Sequence, residues 1–96
     1  MEKYIIEILK DMKPEKMKVK KFRNEKDFLF VRDKAKKILV LNNTAREIYN
    51  ACNGINVGEI IKLMSSKYPD VDSEKIFIDT LICLRDLERR GLVALR

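Results

Sequence analysis

With 96 residues, of which 46% are hydrophobic, the chain has material for one modest core, and a single globular domain is expected. No apolar run approaches the roughly 18 residues that span a bilayer, and the first ten residues interleave charges with apolar side chains; neither a spanning helix nor a signal peptide is expected, which points to a cytoplasmic protein without membrane attachment. The net charge of +6 lies wholly in residues 1–37, which hold 13 Lys/Arg against 7 Asp/Glu, whereas residues 38–96 hold 8 of each; a basic segment of this kind suits nucleic acid, an anionic surface or an acidic peptide.

Taken in chain order, residues 1–12 carry Tyr4, Ile5, Ile8, Leu9 and Met12 at spacings of three and four, the pattern of an amphipathic helix of about three turns. Lys13-Pro14 ends it, because a residue before proline is pushed out of the helical region. Such a short helix is marginal alone, so it either packs on the domain or serves as a docking or dimerising arm.

From Met17 to Leu41 the period becomes two. Val19-Lys20-Lys21-Phe22, Phe28-Leu29-Phe30-Val31 and Lys37-Ile38-Leu39-Val40-Leu41 read as three short strands. Asn24–Asp27 and Asp33–Lys36 have turn composition, which makes the strands an antiparallel meander with an open edge on each side.

The remainder reads as helix. Asn42 or Asn43 caps a first core helix that turns Ala45, Ile48, Tyr49 and Cys52 inward and stops at Asn53-Gly54. A second helix enters at Asn56 or Val57 with Glu59 placed for a capping box, runs through Ile60, Ile61, Leu63 and Met64, and ends before Pro69. Asp72 or Ser73 begins a third helix that continues to Arg90, where Gly91 terminates it before Leu92-Val93-Ala94-Leu95.

At 100° per residue, Ile76, Phe77, Thr80, Leu81, Cys83, Leu84 and Leu87 of the third helix share one broad arc that faces a core. Ile78 and Ile82 project about 100° or more from its middle and share their side with Arg85 and Arg89. That pair either covers neighbouring structure or lines one wall of a groove, with the two arginines placed to meet carboxylates of a bound chain. Together with the third strand it would form a slot for an extended peptide.

Composition excludes several chemistries. The chain has no histidine and only three glycines, which rules out a Cys–His nucleophile and a Gly-rich phosphate loop; no paired-carboxylate or metal-ligand spacing appears, and neither catalysis nor a cofactor is expected. Cys52 and Cys83 both sit in apolar helical patterns and read as reduced packing residues.

The series Leu41-Asn42-Asn43-Thr44-Ala45, Ile48, Asn53-Gly54, Val57, Glu59, Ile60, Tyr68-Pro69, Ile76, Asp79, Leu84, Leu87 and Gly91-Leu92-Val93 resembles the PqqD family, whose members are also described as RiPP recognition elements. The resemblance runs from Lys13 to Leu95 and makes 13–96 the domain, with the helix of residues 1–12 outside the shared pattern. Asn53 stands where the family commonly has Asp. The resemblance implies an α+β, winged-helix-like fold: a three-stranded antiparallel sheet followed by three helices. It also implies that the leader of a ribosomally made precursor peptide binds as a further strand beside the third, along Lys37, Ile38, Leu39, Val40 and Leu41, against the third helix, and is presented to a modifying enzyme, often a radical SAM enzyme. Ile78, Ile82, Arg85 and Arg89 enter that site from the angular argument alone. Lys34, Lys36 and Lys37 would attract an acidic leader.

A DNA-binding winged helix is the main alternative, since Val57 to Val93 also reads as helix, turn, helix and apolar ending. Against it, the third helix mixes Asp79, Asp86 and Glu88 with Lys75, Arg85, Arg89 and Arg90, and the strands precede the core helices. An adaptor that docks through the N-terminal helix is a third reading, and both that arm and the open sheet edge are routes to a homodimer.

Overall fold

The computed structural model describes residues 8–17, the backbone of 20–24, residues 28–32 and residues 37–95. Tyr4 and Ile5 of the expected first helix, Val19 of the expected first strand, and residues 25–27 and 33–36, with Lys34 and Lys36, lie outside the described residues. The fold is α+β. Its strands are β1 (Pro14–Lys16), β2 (Lys20–Asn24), β3 (Phe28–Arg32), β4 (Ile38–Asn42) and β5 (Val93–Leu95); its helices are α1 (Asn43–Ala51), α2 (Val57–Lys67) and α3 (Ser73–Arg89), preceded by helical residues 8–11.

Strands β2, β3 and β4 form an antiparallel sheet in that order, with a register shift between Lys21 and Arg23 that bends β2. Leu29 pairs with Leu41 and Val31 with Leu39, and these apolar positions fall on one face because side chains alternate along a strand. Leu29, Val31 and Leu41 are buried against Ile48 and Tyr49 of α1 and the rest of one continuous core, which also takes in Ile60, Met64, Ile76, Leu84, Leu87, Leu92 and Val93. The opposite face carries Phe28, Phe30, Arg32, Ile38, Val40 and Asn42.

The helix ends follow their local chemistry. Asn42 Oδ1 accepts from the Ala45 N–H at 2.9 Å, so the residue that ends β4 also caps α1. At α2 the reciprocal pair is complete: the Glu59 N–H donates to Asn56 Oδ1 at 2.8 Å and the Asn56 N–H to Glu59 Oε1 at 3.2 Å. Asp72 precedes α3 without a side-chain cap bond. At the far end Gly91, at φ 76°, lets its N–H reach the Glu88 carbonyl and the Leu92 N–H reach that of Leu87, which closes the helix with Leu87 and Leu92 packed in the core.

One expectation needs correcting. Strands are followed by three helices, but the chain does not end there: β5 follows α3, and it pairs antiparallel with the additional strand β1 as Pro14–Leu95, Glu15–Ala94 and Lys16–Val93. Three-residue strands are too short to display a period of two, and Pro14 fits only because it opens an edge strand. This clasp joins the two ends of the chain. Residues before it are anchored too: the Val57 N–H donates to the Met12 carbonyl at 2.8 Å, and Lys10 Nζ sits 5.6 Å from the centre of the Phe77 ring.

Candidate functional site

In the larger sheet β4 pairs only with β3, and its other edge is open among the described residues. Alternate residues of an unpaired edge offer N–H and C=O groups to an extended chain. Leu39 and Leu41 turn toward the core, whereas Ile38 and Val40 are 45% and 47% exposed. Beyond the end of β4 lies a groove of about 800 Å³ whose lining includes Asn42 and Ala45, the α3 residues Asp79, Ile82, Arg85 and Arg89, and Leu9, Met12 and Leu95.

The charges on α3 divide into two sets. Lys75 pairs with Asp79 at 3.1 Å and Arg90 with Asp86 at 3.1 Å, so these basic groups are satisfied along their own helix. Arg85 and Arg89 have no ion pair among the described residues. About one and two turns before them on the same helix face, Ile82 is 62% exposed, the most exposed large hydrophobic among the described residues. Two guanidiniums without an ion pair among the described residues, beside an exposed isoleucine, make an amphipathic surface that can take carboxylates and apolar groups together.

Of the residues singled out in the sequence, Ile82, Arg85 and Arg89 line the groove together. Ile78, 47% exposed, continues the same helix face outside the groove lining. Lys37, Ile38, Leu39, Val40 and Leu41 run toward the groove and meet it only through the next residue, Asn42. Leu9, Met12 and Leu95 were not anticipated, since their place in the lining depends on how the chain ends pack, which no local pattern encodes.

Cys83 lines the groove, and Cys52 is buried beneath α1, where its Sγ donates to the Ile48 carbonyl at 3.2 Å. Burial pushes the Cys83 thiol from 9.0 up to about 11, helped by the charge of Asp86 and opposed by Arg90. Cys52 rises to about 12, again chiefly through burial. Both are protonated at neutral pH and are poor nucleophiles and ligands.

The molecule is thus a small α+β domain with an open sheet edge leading to an amphipathic groove. Residues 22–93 match the family model for coenzyme PQQ synthesis protein D (PqqD), and the chain belongs to this family, that of the RiPP recognition elements, whose role is to bind precursor peptides. No curated protein and no solved structure matches the chain. Among the described residues, no helix is long and apolar enough to cross a membrane.

Proposed function

We propose that this protein binds the leader segment of a ribosomally synthesised precursor peptide as an added strand along β4 and holds it across the α3 face of Ile78, Ile82, Arg85 and Arg89 for a separate modifying enzyme. The observation that carries the reading is the edge of β4, unpaired among the described residues, running into a groove where Ile82 is exposed and Arg85 and Arg89 have no ion pair among the described residues. Main-chain bonds to Lys37–Leu41 supply affinity that tolerates sequence, and alternate leader side chains entering the groove supply selectivity. Leu39 and Leu41 contribute backbone only, because their side chains serve the core.

The protein performs no chemistry in this account. It raises the effective concentration of the peptide at its partner enzyme, to roughly millimolar for a short tether. The partner is a radical SAM enzyme or another maturation enzyme such as a cyclase. Packing of the sheet on the three helices supports the winged-helix-like description of the fold, while the Lys75–Asp79 and Arg90–Asp86 pairs reduce the basic groups of the α3 region without an ion pair, among the described residues, to Arg85 and Arg89, a small set beside an exposed isoleucine that favours peptide over DNA.

The test is fluorescence anisotropy with labelled candidate leader peptides against the wild type, Ile82→Asp and Arg85→Glu, with a random-sequence DNA duplex as competitor. Saturable, sequence-dependent peptide binding that Ile82→Asp abolishes is expected. Binding to the duplex with a steep salt dependence, and to no leader, would overturn the proposal in favour of a DNA-binding regulator.

A further inference from the structure

Next to the groove is a smaller cavity of about 170 Å³, where α1, the end of α2 and the start of α3 meet. Its walls are the apolar side chains of Ile48, Met64, Val71 and Ile76, with Tyr68 and Thr80. Thr44 and Asp79 line both this cavity and the groove, so the two adjoin. Val71, at the turn before α3, is 37% exposed, while Ile48, Met64 and Ile76 are core residues.

The surroundings hold the cavity in shape. Glu47 on α1 accepts from the Tyr68 hydroxyl at 3.2 Å and pairs with Lys67 at 3.3 Å, which pins the end of α2 to α1 on one side. Thr80 is 2% exposed and forms the floor of the cavity on the α3 side. A pinned apolar cavity beside the groove has the size and lining to receive one side chain. For scale, an engineered apolar cavity of about 150 Å³ in another protein takes up benzene.

We infer that this cavity is an anchor site for a single aliphatic or phenyl side chain of the peptide bound in the groove, and that it makes the protein selective for a leader carrying such a residue at one fixed position. The inference rests on the groove reading above. Thr44 and Asp79 mark the point where the anchor side chain leaves the groove, which puts it on the opposite side of Asp79 from Ile82 and Arg85. A leader that fits therefore combines one large apolar anchor with carboxylates that reach Arg85 and Arg89. Occupying the cavity contributes about ten- to a hundredfold in affinity, the range for burying one such side chain.

The test selects binders from a displayed library of random peptides against three proteins: wild type, Thr80→Leu, which fills the cavity from below, and Val71→Phe, which narrows its mouth from a half-exposed position without touching the core. Thermal melts establish which variants are folded. The wild type is expected to enrich Leu, Ile, Met or Phe at one position; the folded variants are expected to lose that preference and to bind the wild-type-selected peptides about ten- to a hundredfold more weakly, while acidic positions stay enriched. Peptides selected equally well by all three, with the apolar preference intact, would overturn the anchor site and leave the groove standing. If no peptide is enriched by the wild type, the groove reading fails and the anchor falls with it.

Discussion

Ile76 and Ile82 stand six residues apart on α3, and their exposures are 6% and 62%. The inner face of the helix, Ile76, Thr80, Leu84 and Leu87, is closed by the sheet and the other helices; the outer face, Ile78, Ile82, Arg85 and Arg89, is left open. Folding gains little from Ile82, since most of it stays in water in both states, whereas covering the rest with a ligand would gain roughly 1–2 kcal/mol. The inner face accounts for stability and the outer face is free to account for binding. Substitutions that separate the two effects sharpen this division, and any that merge them break it.

The largest effect belongs to the inner face. Leu84→Ala empties a site that is 1% exposed and is expected to cost about 2–5 kcal/mol, read as a lowered urea midpoint. Next comes the response to alkali. Because the Cys52 thiol is raised from 9.0 to about 12 in the folded state, the protein is stabilised by its neutral form below pH 9 and loses that contribution as pH rises toward 12. Burial raises Tyr49 in the same direction. The urea midpoint of the wild type should therefore fall more steeply above pH 9 than that of Cys52→Ala; parallel curves would show that burial of this thiol is not coupled to folding.

A smaller loss, about 1 kcal/mol, is expected for Asn56→Ala, which removes the reciprocal cap of α2. The smallest stability effect is on the outer face: Ile82→Asp should move the midpoint by no more than about 0.5 kcal/mol while abolishing peptide binding. A large loss of stability in Ile82→Asp would show that the outer face is structural after all.

Much of this division is legible in the amino-acid sequence. The period-two pattern of Phe28–Val31 and Lys37–Leu41, the Asn56/Glu59 spacing and Gly91 are local signals, and each is found where short-range chemistry places it. The angular separation of Ile78 and Ile82 from the core arc is likewise a property of one helix. What stayed hidden depends on contacts between distant residues. Pro14 pairs with Leu95 across almost the whole chain, and Leu9, Met12 and Leu95 enter the groove only because that pairing and the Met12–Val57 bond bring the ends together. The smaller cavity was hidden for the same reason, since Ile48, Met64 and Ile76 read only as core residues on three separate helices.

Strand addition along β4 is the central claim, and amide hydrogen exchange on β4 with and without a saturating leader peptide tests it most directly. Outward amides at alternate positions of Ile38–Asn42 should become protected when the peptide is bound, together with those of the peptide itself. Saturable peptide binding that leaves every β4 amide exchanging as in the free protein would contradict the account and place the peptide elsewhere on the domain.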